Sequence, residues 1–194
     1  MKKFITLIIA LIFFTGCLPA DYPTEIAVYD FNTAVIQYEL TGQEEGDMTV
    51  YLRGDQQATY KTTQAGNILE INLGDKIYSV DMDKATAVEL PTTFYESLKA
   101  MSAEDQKLAI VKKALGIKDA ATDPEAITKK VVAGQQCDVY NIPNIGVACI
   151  WNGIVIEKEI TMLGLTNKTV AVSIQTNVDI PPERFEVPAN VIVQ

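Results

Sequence analysis

The sequence predicts an α+β protein, mainly antiparallel β, with one sheet interrupted by a short helical insertion. Three observations carry that expectation. Apolar and polar residues alternate with a period of two through both halves of the chain, the pattern of strands with one buried face and one wet face. Short turns separate the runs, and short turns join antiparallel neighbours. Between the halves the period lengthens to that of a helix, flanked by capping residues.

Ala34, Ile36, Tyr38 and Leu40 alternate with Val35, Gln37 and Glu39, and residues 42–46 supply a polar turn. Met48, Val50 and Leu52 continue the pattern as far as Gly54-Asp55. Residues 57–63, 68–73 and 76–82 follow with the same period, divided at Ala65-Gly66 and Gly74-Asp75. Thr93 with Glu96 three residues on has the spacing of a capping box, and Ser102 with Asp105 begins a second helix. Leu108, Val111 and Leu115, joined by Ile110 and Ala114, form the apolar side of that helix. Lys107, Lys112 and Lys113 are placed for solvent, and Gly116 is a natural stop. Strands resume at 128–133, 136–141, 146–151, 154–162 and 168–177. Asn152-Gly153 is the strongest hairpin signal, since both residues tolerate the positive φ of a type I′ turn. Residues 181–185 read as one helical turn.

The first sixteen residues have a different character. Lys2 and Lys3 precede an apolar run from Phe4 to Phe14, then Thr15, Gly16 and Cys17, the layout of a secretory signal peptide. The run is shorter than the about 20 residues of a membrane-spanning helix. Phe14-Thr15-Gly16-Cys17 resembles the lipobox of bacterial lipoproteins, with Phe14 where leucine is usual. The resemblance implies cleavage between Gly16 and Cys17, and a diacylglycerol with palmitate-like chains on the Cys17 thiol. The expected organisation is therefore a signal peptide at 1–16, a lipidated cysteine and proline-containing tether at 17–25, and one β-rich domain at 26–194. By resemblance to the enterobacterial sorting rule, Leu18 after the cysteine favours the outer membrane, with the domain facing the periplasm.

Losing Lys2 and Lys3 with the signal takes the formal charge from −9 to −11. So acidic a domain repels phosphate backbones, which argues against a nucleic-acid partner. The chain contains 0 histidines, which removes the usual general base and zinc ligand. The expectation is a non-enzymatic protein without a cofactor or metal.

YSVDMDKATAVELP (residues 78–91), VAGQQCDVYNIP (132–143), IWNGIVIEKEI (150–160) and IPPERFEVPANVIV (180–193) resemble segments of exported bacterial proteins akin to the Lol outer-membrane lipoprotein carriers and acceptors. That resemblance implies a strongly curved sheet, a half-open barrel, with the helical insertion covering its concave face. It also implies a hollow for acyl chains, and an anchored module that binds an apolar ligand or the lipid of a lipoprotein. In the Lol proteins an arginine lies in the hollow, and neither Arg53 nor Arg184 matches it by motif. The alternative is a structural or interaction lipoprotein of the envelope that binds no small molecule.

Cys137 and Cys149 flank a turn at residues 142–145. If it centres near Pro143 they fall opposite each other on paired strands. An oxidising compartment then favours a disulfide, provided the Cα atoms lie within about 7 Å; two separate buried thiols are the other reading. Asp81 with Asp83, and Glu44 with Glu45, are the tempting carboxylate pairs. A glycosidase needs its carboxylates facing across a cleft, and a calcium loop needs a glycine and a distal glutamate that are missing here. They read as solvated turn acids. Asn167-Lys168-Thr169 reads as a turn entering a strand, and Trp151, Tyr38, Tyr51, Tyr60, Tyr78 and Tyr140 as strand packing or as lining for the hollow.

Replacing Cys17 by serine is expected to release the protein from the membrane fraction. A variant that stays there with an unchanged mature mass contradicts the lipid anchor.

Overall fold

The computed structural model describes residues 29–117, 123–142 and 146–194. Gly16, Cys17 and the tether lie outside the described residues, as do positions 143–145 of the expected cysteine-flanked turn. The strands are β1 (Thr33–Thr41), β2 (Gly46–Arg53), β3 (Gln56–Thr63), β4 (Gly66–Asn72), β5 (Lys76–Asp81) and β6 (Thr86–Pro91). Helices α1 (Phe94–Lys99) and α2 (Ala103–Leu115) follow. Then come β7 (Ala126–Val132), β8 (Gln135–Ile142), β9 (Gly146–Trp151), β10 (Ile154–Met162), β11 (Leu165–Thr176), a 3-10 turn (Pro182–Phe185) and β12 (Ile192–Val193).

All twelve strands join one open sheet in the order β12-β6-β5-β4-β3-β2-β1-β11-β10-β9-β8-β7. Two meanders, β1–β6 and β7–β11, are sewn together where β11 pairs antiparallel with β1. The short β12 adds the one parallel pairing, on β6. The sheet is curved. β7 and β11 stand four strands apart, about 19 Å in a flat sheet, yet their Cα atoms approach within 8 Å. The curl encloses a disulfide between Cys137 and Cys149 with Cα atoms 5.5 Å apart. The register places Val139, not Cys137, opposite Cys149. The β8–β9 register is thus offset from the one that would set the two cysteines opposite each other, and the bridge is diagonal.

Glu157 of β10 lies directly beside Cys149 and is 9% exposed. Lys130, which stands opposite Cys137 from β7, forms an ion pair with Glu157. Lys168 of β11 adds a second at 3.2 Å. Burial opposes the charge on Glu157, but the two lysines outweigh it and hold the carboxyl below its ordinary range.

The apolar side of the sheet changes face along its width. On β1 and β2, Ala34, Ile36, Val50 and Leu52 are buried on one face. On β3 to β6, Ala58, Leu69, Ile71, Val80 and Ala87 are buried on the other. The register makes the switch explicit: Val50 stands opposite Thr59, and Thr59 opposite Glu70. The second face is closed by Ile180 and by Phe185 of the 3-10 turn. The Thr33 hydroxyl starts that covering segment on its path, donating to the Val178 carbonyl at 2.6 Å.

Several sequence expectations need adjustment. Strand β6 was not expected; Ala87 is its one buried residue, so it lacks a readable alternation. Thr93 occupies the N-cap of α1 without a side-chain capping bond. The Thr92 hydroxyl instead accepts from the Phe94 N–H at 3.3 Å. Ser102 caps α2 as expected, accepting from the Asp105 N–H at 3.2 Å, and Gly116 ends the helix in the left-handed region at φ 70. Asn167 is already inside β11; the turn before it is Leu163-Gly164, with φ 53 and 79. Asn152-Gly153 has positive φ at both residues, as its type required.

Replacing both Cys137 and Cys149 by alanine should cost about 3 kcal/mol through lost constraint on the unfolded chain, read from the urea midpoint. Because the folded pKa of Glu157 is depressed, its contribution to stability is full above the unfolded value of about 4.3. It is lost as pH falls through the lower folded value. Glu157→Gln should therefore remove stability at neutral pH and flatten the acid limb of a pH–stability curve; an unchanged limb contradicts the pairing.

Candidate functional site

A cavity of about 560 Å³ lies between the helices and the sheet. Its existence follows from where the helices are pinned. At the C-terminal end of α2, Leu115 packs with Ile142, Ala148 and Ile150 of β8 and β9, on the sheet face opposite the disulfide. At the other end, Leu98 of α1 and Ile110 of α2 pack with Phe94 and Tyr29. Neither cluster takes in a residue of β2 to β5, and the space is left above those strands. Gln106, 5% exposed, ties the helices together, its Nε2 donating to the Leu98 and Met101 carbonyls at 3.0 and 3.3 Å.

The change of apolar face divides the cavity wall. Tyr38, Met48, Val50, Leu52, Ile154 and Val155 supply an apolar side, and Phe94, Ile110 and Ala114 an apolar roof. Gln57, Thr59, Glu70 and Asn72 supply a polar side, and Lys113, Lys158 and Thr169 also reach the cavity. Tyr38 is 3% exposed, with its hydroxyl donating to the Val155 carbonyl at 3.0 Å. Burial, reinforced by nearby Tyr29, pushes its phenol well above the ordinary value, so it stays neutral and holds the wall in place. Lys113 of α2 is exposed overall, yet its ammonium stands 3.8 Å from the centroid of the Phe94 ring. Burial lowers its pKa, with Glu70 opposing. Lys113 is thus exposed as expected and also borders the cavity, while the half-buried Lys112 pairs with Asp123 at 2.8 Å.

The other candidate residues are elsewhere. Tyr51, Tyr60 and Tyr78 pack on the opposite sheet face, and Trp151 stacks on Phe31 at 5.4 Å between ring centroids. Tyr140 packs beside Ile142 and Ala148. Arg53 lies over the Phe185 ring at 4.3 Å and Arg184 over the Tyr51 ring at 5.1 Å, so neither arginine belongs to the cavity. Asp81 accepts from Lys84 Nζ at 2.7 Å, and Asp83 accepts from the Asn67 side chain at 2.8 Å. These bonds hold both carboxyls below their usual range and make them locks on turns. Glu44 pairs with Lys61. Among the described residues, no three histidine, cysteine or acidic side chains converge as a metal site. Sequence reasoning missed Tyr29 and Phe94 as cavity residues, because neither sits in an alternating run.

No protein-family model and no curated protein matches the sequence. Solved structures match its fold. An uncharacterized conserved protein from Thermus thermophilus superposes with a TM-score of 0.56 over 88% of this chain and 94% of that one, at 8% identity. A chain of the Pseudomonas aeruginosa MucA/MucB complex gives 0.50 over 86% of this chain and 59% of that one, at 9% identity. The Mycobacterium tuberculosis lipoprotein LppX is more distant, at 0.38 over 78% of this chain and 91% of that one, with 11% identity. What the first two of these chains share with this one is the fold.

Proposed function

We propose that this chain is a lipid-anchored module of the bacterial envelope that holds an apolar ligand between its sheet and its helices and catalyses no reaction. The cavity is the observation that carries this reading. Its volume, about 560 Å³, falls inside the range of about 300–1,000 Å³ typical of small-ligand sites, and its mixture of apolar wall and few polar groups is theirs too. In this reading α1 and α2 are the cover of the hollow that the curved sheet forms over β1 to β5. Each square ångström of ligand taken from water against the wall contributes about 25 cal/mol. Among the described lining residues Glu70 is the one carboxylate, where glycoside hydrolysis ordinarily uses a facing pair. The signal-like segment and Cys17 supply the tether, with the domain in the periplasm and the outer membrane as its site.

A second reading, an envelope protein that docks a partner, draws support from the β10–β11 hairpin tip. Met162, Leu163 and Leu165 there are 57%, 101% and 48% exposed, and a chain of the MucA/MucB complex shares the fold.

A fluorescent fatty acid titrated into the domain lacking residues 1–17 should bind saturably and be displaced by unlabelled fatty acid. Ala114→Trp, which fills the roof, should abolish the signal while leaving the unfolding midpoint within about 1 kcal/mol of wild type. A flat titration with the unmodified domain favours the docking reading.

A further inference from the structure

The lysines of the sheet are paired with carboxylates, with one exception. Lys61 reaches Glu44, Lys76 reaches Glu89, Lys129 reaches Asp138, and Lys130 and Lys168 share Glu157. Among the described residues, Lys158 of β10 has no acidic partner within salt-bridge distance, although it is half-buried and lines the cavity. In a chain of formal charge −9, leaving this lysine unmatched while matching its neighbours is a specific arrangement. A partly desolvated ammonium without a counter-ion costs free energy that an incoming anion recovers.

The surroundings fit an anion. Thr169 stands directly opposite Lys158 in the β10–β11 register and also lines the cavity, so a hydroxyl donor adjoins the ammonium. Lys113 also borders this space from α2, and among the described lining residues Glu70 is the one acid. Val50, Leu52 and Ile154 are buried and apolar in the same cavity, the surface a hydrocarbon chain requires. The volume suits one small-ligand-sized molecule rather than the several acyl chains of a lipoprotein.

Resting on the binding reading above, we infer that the ligand is a single-chain anionic amphiphile, a long-chain carboxylate, with its head held by Lys158 beside Thr169 and its chain along Val50, Leu52 and Ile154. Binding is non-covalent and reversible. The head replaces the missing counter-ion, and the chain fills the apolar half of the space.

Photolabelling of the full chain in washed membranes tests this with two probes, a diazirine-bearing long-chain fatty acid and the matching fatty alcohol. The acid should label cavity peptides about tenfold more than the alcohol, the worth of one charge-assisted hydrogen bond. Lys158→Met should erase that preference, and Lys158→Arg, which keeps the charge, should retain it. Equal labelling by the two probes, or a preference untouched in Lys158→Met, overturns the anionic head while the binding reading survives. Cavity peptides labelled by neither probe overturn both.

Discussion

An antiparallel sheet presents two faces to its surroundings, and this one is apolar on both, in different places. Its strands pair in a register that puts Val50 opposite Thr59 and Leu52 opposite Gln57, so the buried residues pass from one side to the other between β2 and β3. Uncovered apolar surface costs about 25 cal/mol per Å², and a switch of faces means that a single cover cannot serve. The segment from Ile180 to Phe185 closes the β3–β6 side, and in the proposed reading the helical insertion between β6 and β7 is the cover of the other.

The two covers differ in kind, and the functional reading grows from that difference. Phe185 is 3% exposed within a cluster of fully buried Leu69, Ile71 and Val80, packed as ordinary interiors are. The helices are pinned only at their ends, by Leu115 on β8 and β9 and by Leu98 and Ile110 near Tyr29. Between the pins they bridge a space whose floor is half apolar and half polar. The polar half is a consequence of the face switch, since the outward positions of β3 and β4 become the inner wall of the cavity. The curled half of the sheet, locked by the Cys137–Cys149 bridge and by the ion pairs on Glu157, gives the helices a firm base.

Much of this architecture was readable from the residues. Period-two alternation located ten of the strands, Asn152-Gly153 placed a hairpin, and Ser102 and Gly116 bounded α2. What escaped had physical reasons. Strand β6 buries Ala87 alone, so no alternation marks it. The diagonal placement of the disulfide hangs on an offset in the β8–β9 register, finer than turn composition resolves. The cavity could not be read from strand patterns, because each strand shows which of its residues are apolar but not which side of the sheet they face. That depends on pairing register, a property of two strands at once. For the same reason nothing in the run Ile156 to Ile160 singles out Lys158. Its importance emerges only when the partners of every other strand lysine are known.

The central claim is that the space beneath the helices is a binding site and not a packing defect. Native mass spectrometry of the full chain, purified from the cells that produce it, examines that claim directly. The chain should carry one non-covalent amphiphile, lost on gentle activation and reduced in Ala114→Trp. A population made up of the bare chain alone, under conditions that preserve other lipid complexes, would contradict it.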